Sequence, residues 1–305
     1  MSLPAPIRAL RPHQWVKNLF VLAAFGFGLG DQELGLGLAV AWAALAAFFA
    51  FSFGASAIYL VNDIMDVEED RIHPTKCKRP IAAGELAVGT AWGLAALMAA
   101  GALVLAWVAG SSEFGVKLDG AWKLPLVVGS YMTMNLAYSI KLKHVVLVDV
   151  FCIATGFLLR VIGGGIAVGV VVSHWLLLCT LFLALFLGFN KRRAELAAVG
   201  DGSTRATLND YNLGQLDQMV TMIAACTIVC YALYTVDGET VKKFPAGDRL
   251  VWSVPFVVFG MARYLHLVQN QGRGESPTKI LLGGDKWFLL DLVLWAGVIA
   301  LGLFG

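Results

Sequence analysis

Charged residues are scarce in this chain of 305 residues: they make up 14% of it, whereas hydrophobic residues make up 58% and the mean hydropathy is +0.74. A soluble domain needs roughly a quarter of its residues charged to keep its surface hydrated. The scarcity of charge therefore excludes an ordinary soluble protein. The net charge of +2 says little about partners, and we expect no nucleic acid among them.

The sequence also lacks any cysteine pattern typical of a disulfide framework or a zinc site. Its five cysteines are odd in number and scattered, and only Cys77 lies outside the predicted membrane spans. We therefore expect the cysteines to be packing residues without a redox or metal-binding role.

Long apolar runs recur along the whole chain. A helix of about 20 residues crosses the hydrocarbon core of a bilayer, and in hydrocarbon only a helix or a closed barrel satisfies its own backbone hydrogen bonds. We therefore predict an all-α integral membrane protein, with about nine transmembrane helices in a single domain over residues 1–305. The predicted spans are residues 16–30, 41–65, 87–109, 124–140, 146–168, 173–190, 218–236, 250–268 and 286–304.

Lysine and arginine residues lie mostly on one side of these spans. By the positive-inside rule that side is cytoplasmic, which puts the amino end inside and the carboxyl end outside. We expect the bacterial inner (plasma) membrane, with the active site facing the cytoplasm. The residues of the cytoplasmic set are Arg8, Arg11, Lys17, Arg71, Lys76, Lys78, Arg79, Lys141, Lys143, Lys191, Arg192, Arg193, Arg205, Arg273, Lys279 and Lys286.

An acidic segment, NDIMDVEEDR, ends the second span. Asn62, Asp66 and Asp70 are four residues apart, so on a helix they lie along one face, whereas Asp63 is rotated by about 100° from Asn62. Two carboxylates and a carbonyl on one face repel each other unless a cation lies among them, and Mg²⁺ prefers such oxygen ligands. We predict that these three residues bind Mg²⁺, with Asp66 and Asp70 catalytic. The alternative is a solvated helix end with ordinary surface acids.

A basic run follows the acidic segment at once. Arg71, His73, Lys76 and Arg79 lie within reach of whatever the metal holds, which favours a polyanionic ligand. The alternative is that these bases only set topology and face anionic lipid.

The pattern Asn-x-x-x-Asp-x-x-x-Asp after the second of nine spans resembles the first aspartate motif of the UbiA-type intramembrane prenyltransferases. The resemblance implies helices around a central cavity open to the lipid, with a diphosphate bound through Mg²⁺ at the cytoplasmic end. It covers nearly the whole chain.

The second aspartate motif of that superfamily has no counterpart here. After the sixth span the chain reads LGFNKRRAEL, in which Asn190, Lys191, Arg192 and Arg193 stand where acids are expected and Glu195 is the only nearby carboxylate. Arginine suits bidentate contacts with phosphate. The exchange favours substrates with more phosphate groups and a site with fewer metals.

Further segments resemble the decaprenyl-phosphate phosphoribosyltransferase branch of the superfamily. They are RPHQWVKN at 11–18, NDxxDxxxDRxHPxKxxRPIAAG at 62–84, YSIKLKH at 138–144 with Asp149, and GFLLRVIGGG at 156–165. This likeness implies transfer of 5-phosphoribose from 5-phospho-α-D-ribose 1-diphosphate (phosphoribosyl diphosphate) to a polyprenyl (decaprenyl) phosphate, with release of diphosphate. The alternatives are a prenyltransferase that uses a prenyl diphosphate and an aromatic or quinone-precursor acceptor, and a transporter.

The resemblance also adds site residues. Lys17 becomes a catalytic as well as a substrate-binding candidate, and Arg160 either binds substrate or pairs with Asp149, because an unpaired charge within a span is costly. Whether copies of the chain form a homo-oligomer is left open. The predicted substrate-binding residues are Lys17, Asp63, Arg71, His73, Lys76, Arg79, Tyr138, Lys141, Lys143, Arg160, Asn190, Lys191, Arg192, Arg193, Glu195 and Tyr211.

Overall fold

The computed structural model describes residues 3–29, 38–111, 120–198, 210–271 and 285–305. Within these ranges every element of regular secondary structure is a helix, which confirms the all-α prediction. The α-helices are α1 (Ala5–Leu10), α2 (Ala23–Gly28), α3 (Leu38–Met65), α4 (Val67–Ile72), α5 (Val88–Gly110), α6 (Lys123–Ile140), α7 (Val148–Val168), α8 (His174–Ala198), α9 (Leu213–Val236), α10 (Gly238–Lys243), α11 (Val254–Gln271) and α12 (Lys286–Phe304). Four 3₁₀-helices are Pro12–Leu22, Lys76–Lys78, Leu142–His144 and Gly247–Ser253.

Seven helical segments of the described chain are long and apolar enough to cross a membrane. They are Val40–Met65, Val88–Gly110, Val148–Val168, His174–Ala197, Leu213–Val236, Gly247–Gln269 and Lys286–Phe304.

Two of the nine predicted spans are absent from this set. The first consists of the 3₁₀-helix Pro12–Leu22 and the six-residue α2. The fourth is α6, which has only 18 residues and carries polar side chains such as Thr133 and Asn135. Over the residues described, the count of nine is therefore not confirmed, although a helical element lies at each predicted position.

The chain divides into two compact units. The first comprises Met1–Gly26, Leu36–Ile140 and Leu159–Val171. Its core lies mainly between α3 and α5, where Ala47, Ala50, Ala102 and Ala106 are fully buried. Small side chains let membrane helices approach closely, and close packing takes the place of the hydrophobic effect in lipid.

The second unit comprises Phe27–Gly35, Lys141–Leu158 and Val172–Gly305, so that α7 contributes to both units. Its largest buried cluster joins the first half of α7 with α8, α9 and α11, and includes Phe186, Phe189 and Leu216. The single domain predicted over residues 1–305 stays a prediction.

The 3₁₀-helix Pro12–Leu22 is unusually long, because runs beyond three or four residues are uncommon. It packs against α3 and approaches α7 at Gly164, where a Cβ atom would overlap the carbonyl oxygen of Val21. Only glycine leaves room for this contact within the first unit.

Gly164→Ala is therefore expected to lower the melting temperature of the purified protein in detergent. Overpacking of this kind costs about 1–3 kcal/mol. Gly93→Ala in α5 is the matched control, since a Cβ there meets no atom within 4 Å and alanine favours a helix over glycine by about 1 kcal/mol. A Gly164→Ala protein as stable as the Gly93→Ala protein would contradict the close approach.

Candidate functional site

The acidic segment lies where α3 ends. α3 stops at Met65, and Asp66 forms a turn with φ −91° and ψ 9° before α4 begins. The backbone N–H of Asp66 donates to the carbonyl of Asn62 at 2.9 Å, and that of Asp70 donates to the carbonyl of Asp66 at 2.8 Å. The predicted helix is therefore interrupted at Asp66, whose backbone lies in the bridge region. That Asn62, Asp66 and Asp70 face one metal ion stays a prediction.

Asp63 and Asp70 are held together by one guanidinium. Nη1 of Arg79 donates to Oδ1 of Asp63 at 3.1 Å and to Oδ2 of Asp70 at 2.6 Å. Both carboxylates are almost fully buried, with 2% and 1% of their surface exposed. Lys76 Nζ lies 3.9 Å from Oδ1 of Asp70. Asp63, which the helical spacing set apart from the predicted metal face, thus shares a partner with Asp70.

A second arginine contacts Asp63 and was not among the predicted site residues. Nη2 of Arg11 donates to Oδ1 of Asp63 at 2.5 Å, and its guanidinium carbon lies 5.1 Å from the ring centroid of Tyr59. Its backbone has a left-handed φ of 53° between α1 and the 3₁₀-helix. The segment RPHQWVKN could have indicated this contact, but its first residue, Arg11, was interpreted only as a topology signal.

Three buried oxygen atoms of the acidic segment accept no hydrogen bond within the described structure. They are Oδ1 of Asn62, Oδ2 of Asp63 and Oδ1 of Asp70. Buried oxygens without donors are costly, and such atoms suit a hard cation. No three His, Cys, Asp or Glu side chains of the described residues gather closely enough to hold a metal alone. A Mg²⁺ ion at this place would therefore need the Asn62 carbonyl, water and substrate phosphates among its ligands.

Arg71 and His73, the other bases of the basic run, make local contacts. Arg71 Nη1 donates to Oε1 of Glu68 at 2.7 Å on the exposed face of α4. Nδ1 of His73 accepts from the backbone N–H groups of Thr75 and Lys76 at 3.2 Å and 3.3 Å. These contacts shape the loop, and the roles predicted for Arg71 and His73 toward substrate stay predictions.

Arg160 lies within α7 and is buried in the first unit, with 6% of its surface exposed. Its Nε donates to Oδ1 of Asn18 at 2.6 Å, and its Nη2 donates to the hydroxyl of Tyr131 at 2.8 Å. Lys17 precedes Asn18 in the 3₁₀-helix and is half-buried. Asp149, the acid considered as a partner of Arg160, lies 2.9 Å from Nε of Arg192 instead.

The basic cluster after the sixth predicted span lies in the second unit, and Arg192 is its buried member. Arg192 is 1% exposed and Asp149 is fully buried. Nη1 of Arg192 also pairs with Glu195. Its Nε–H is not directed at the Asp149 carboxylate, so at 2.9 Å this contact is an ion pair rather than a hydrogen bond.

The neighbours of Arg192 differ in exposure. Lys191 Nζ lies 3.8 Å from Oε1 of Glu195 and 41% of its side chain is exposed, whereas Arg193 pairs with Asp217 and is 16% exposed. Asn190 is fully buried, and its Nδ2 donates to the Phe186 carbonyl at 2.9 Å. Of the predicted phosphate-binding bases in this cluster, Lys191 is therefore the most accessible.

Tyr211 joins this cluster to the turn that precedes α7. Its hydroxyl accepts from the backbone N–H of Leu147 at 2.7 Å, and Leu147 has a left-handed φ of 67°. Burial raises the pKa of the Tyr211 phenol above its usual range. Lys141 and Lys143 lie just before this turn and are exposed and half-buried respectively, and Tyr138 lies half-buried near the end of α6 in the first unit.

Comparisons with known proteins agree with this architecture. The decaprenyl-phosphate phosphoribosyltransferase of Corynebacterium glutamicum is 37% identical over 98% of this chain and 86% of its own length. That of Mycolicibacterium smegmatis is 34% identical over 98% and 92%. A UbiA homolog from Archaeoglobus fulgidus, solved with DMAPP and Mg²⁺ bound, superimposes with a TM-score of 0.70 at 20% identity and covers 97% of this chain and 99% of its own.

The likeness to the solved structure shows only that the fold is shared, because the sequence identity is low. The sequence comparisons go further, because the model of the UbiA prenyltransferase family matches residues 19–275 and the two curated relatives align over nearly the full length. The predicted family and fold class are thereby confirmed, and seven apolar helices within that family indicate a multi-pass membrane protein. The chain belongs to the UbiA prenyltransferase family.

Proposed function

We propose that the protein transfers 5-phosphoribose from phosphoribosyl diphosphate to a polyprenyl (decaprenyl) phosphate and releases diphosphate. The observation that carries this proposal is the full-length likeness to two decaprenyl-phosphate phosphoribosyltransferases. Lys191 supports it, since this accessible base stands after the sixth predicted span, where the superfamily has acids. We also propose that the protein lies in the bacterial plasma membrane with its site facing the cytoplasm. A soluble donor and a lipid acceptor can meet at such a site.

Magnesium fits the acidic segment of the first unit. Asn62, Asp63 and Asp70 each present a buried oxygen without a hydrogen-bond donor in the described structure, and Asp66 stays a predicted ligand. When bound, Mg²⁺ would neutralise the donor diphosphate and assist its departure. Arg79 and Lys76 stand beside the same carboxylates, and we assign them to the diphosphate oxygens.

The reaction needs positioning more than proton transfer. A bond forms between an oxygen of the lipid phosphate and C1 of ribose while the bond from C1 to the diphosphate breaks, and positive charge develops on the ribose ring. The second pKa of a phosphate monoester is about 6, so at neutral pH the attacking group is already largely ionised. A general base is therefore unnecessary, and alignment and electrostatic stabilisation carry the rate.

A direct assay tests the proposal. Purified protein in detergent is incubated with labelled phosphoribosyl diphosphate, polyprenyl phosphate and Mg²⁺, and the lipid fraction is analysed for label. We expect a labelled phospholipid product that depends on all three components. Prenyl transfer to an aromatic acceptor without transfer of phosphoribose would favour the alternative function.

Ligand-induced stabilisation is a second test that needs no turnover. Phosphoribosyl diphosphate with Mg²⁺ is expected to raise the melting temperature of the protein more than a prenyl diphosphate at the same concentration does, because bound ligand stabilises the folded state by mass action. The difference reports which diphosphate the site prefers. The opposite ranking of the two ligands would contradict the proposed donor.

A further inference from the structure

Two arginines bind the same oxygen of Asp63. Nη2 of Arg11 donates to Oδ1 at 2.5 Å, and Nη1 of Arg79 donates to this oxygen at 3.1 Å. The other oxygen, Oδ2, is buried and accepts no hydrogen bond in the described structure. An arginine that only neutralises a carboxylate commonly binds both of its oxygens. The arrangement at Asp63 instead leaves Oδ2 for a cation.

Arg11 also keeps N–H groups for a further acceptor. Among the described residues only its Nη2 donates to another side chain, and 23% of the Arg11 side chain is exposed. The guanidinium carbon lies 5.1 Å from the ring centroid of Tyr59, and this contact orients the group. A planar guanidinium matches the geometry of phosphate oxygens. Arg11 can therefore bind a phosphate oxygen while its Nη2 stays on Asp63.

The cations at this place outnumber the buried acids that they contact. Asp63 is paired with Arg11 and Arg79, and Asp70 is paired with Arg79 and Lys76. Both carboxylates are almost fully buried, so little water screens the charges around them. The positive charge next to the two carboxylates therefore exceeds their negative charge.

This balance disfavours a divalent cation by itself, because the neighbouring guanidinium and ammonium groups repel it. Asp66, the remaining predicted ligand, is half-buried, so water weakens its compensating charge. A diphosphate carries more negative charge than one Mg²⁺ carries positive charge, so a complex of the two is an anion. The cations that repel Mg²⁺ alone attract this complex.

We propose that Arg11 is a diphosphate-binding residue that makes the binding of a divalent cation at Asp63 and Asp70 depend on the diphosphate. Its charge opposes a cation that arrives alone, and its remaining N–H groups bind an oxygen of the diphosphate that accompanies the cation. This inference rests on the proposed function for the diphosphate, which the donor carries. It adds to Arg79 and Lys76 a cation from the amino-terminal segment.

Binding of Mn²⁺ alone tests the first half of the proposal. Mn²⁺ accepts the same oxygen ligands as Mg²⁺, and electron paramagnetic resonance measures its free concentration in a titration of the purified protein in detergent. We expect Arg11→Gln to bind Mn²⁺ roughly tenfold more tightly than the wild type, because one repelling charge is removed. Asp63 keeps Arg79 in this variant, so we expect the protein to fold.

Binding of inorganic diphosphate at a fixed, saturating concentration of Mg²⁺ tests the second half. Affinity is measured from the ligand-dependent shift in melting temperature, with Mg²⁺ alone as the reference. We expect Arg11→Gln to bind the diphosphate roughly tenfold more weakly than the wild type, because a charge-assisted hydrogen bond is lost. The two affinities thus change in opposite directions, whereas a purely structural role for Arg11 predicts no such opposition.

Two further variants separate charge from structure. Arg8→Gln removes the same charge from α1, but Arg8 pairs with Glu85, and 33% and 45% of these side chains are exposed. We expect both affinities of this control to stay within about twofold of the wild type. Arg11→Lys keeps the charge but presents fewer N–H groups, so we expect it to exclude Mn²⁺ as the wild type does and to bind diphosphate more weakly.

Three results would overturn the proposal. They are a wild type that binds Mn²⁺ alone as tightly as Arg11→Gln does, an affinity for diphosphate that is unchanged in Arg11→Gln, and equal effects in Arg8→Gln and Arg11→Gln. Inorganic diphosphate as the probe makes the outcome independent of the group that the donor transfers. Both expected effects in a protein that transfers no phosphoribose would therefore refute the proposed function and uphold the role of Arg11.

Discussion

Asp63→Asn and Asp70→Asn are each expected to lower kcat/KM by at least about a hundredfold. Both carboxylates are buried and accept from the same Arg79 nitrogen, at 3.1 Å and 2.6 Å. Neutralising either one weakens the hold on Arg79 and removes negative charge from the candidate cation site. Losses of about 10²–10³-fold are typical when a group that stabilises transition-state charge is removed.

Steady-state kinetics of the two variants, at saturating Mg²⁺, measure this effect. Glu68→Gln is the matched control, because Glu68 belongs to the same acidic segment but 79% of its side chain is exposed and it pairs with Arg71 on the surface. Exposed ion pairs contribute little, so the control is expected to stay within about twofold of the wild type. Wild-type kinetics in Asp63→Asn would restrict the site to Asn62, Asp66 and Asp70.

Arg192→Leu is expected to destabilise the protein strongly, because it leaves the carboxylate of Asp149 buried without its cation. Asp149 is fully buried and Arg192 is 1% exposed. Removing one partner of such a pair costs about 3–5 kcal/mol, whereas replacing both by apolar residues is often neutral. Asp149→Leu should be less destabilising, because Arg192 keeps Glu195 as a partner. The double variant should recover much of the melting temperature that Arg192→Leu loses.

Melting curves of the three variants in detergent measure this coupling, and Lys191→Gln separates it from substrate binding. Lys191 is 41% exposed at its side chain, so we expect Lys191→Gln to keep the wild-type melting temperature and to raise the KM of one substrate. If Arg192→Leu instead kept the melting temperature and only raised a KM, Arg192 would be a phosphate ligand, as the sequence alone suggested.

The membrane spans and the acidic segment could be predicted from the sequence because their signals are local. An apolar run long enough to cross a bilayer specifies a helix without reference to the rest of the chain. The first and the fourth predicted spans were exceptions, since neither is among the seven described segments apolar enough to cross a membrane. In the first, the segment Pro12–Leu22 forms a 3₁₀-helix. Its conformation depends on close contact with α3 and with Gly164, which no local pattern reveals.

The partners of the charged residues were decided only by the tertiary structure. Arg11 contacts Asp63 across 52 residues, and Arg160 contacts Asn18 across 142. The helical spacing also set Asp63 apart from Asp70, but a turn at Asp66 interrupts the helix and Arg79 joins the two carboxylates.

The sequence by itself determined the all-α membrane fold, the family and the place of the acidic segment, because hydropathy and motif spacing act over a few helical turns. Only the tertiary structure decided which bases are buried against carboxylates, as Arg192 is against Asp149, and which stay accessible, as Lys191 does. The physical reason is that a charge in a low-dielectric interior must be paired or hydrogen-bonded. Its partner is whichever group the packed helices bring near, at any distance along the chain.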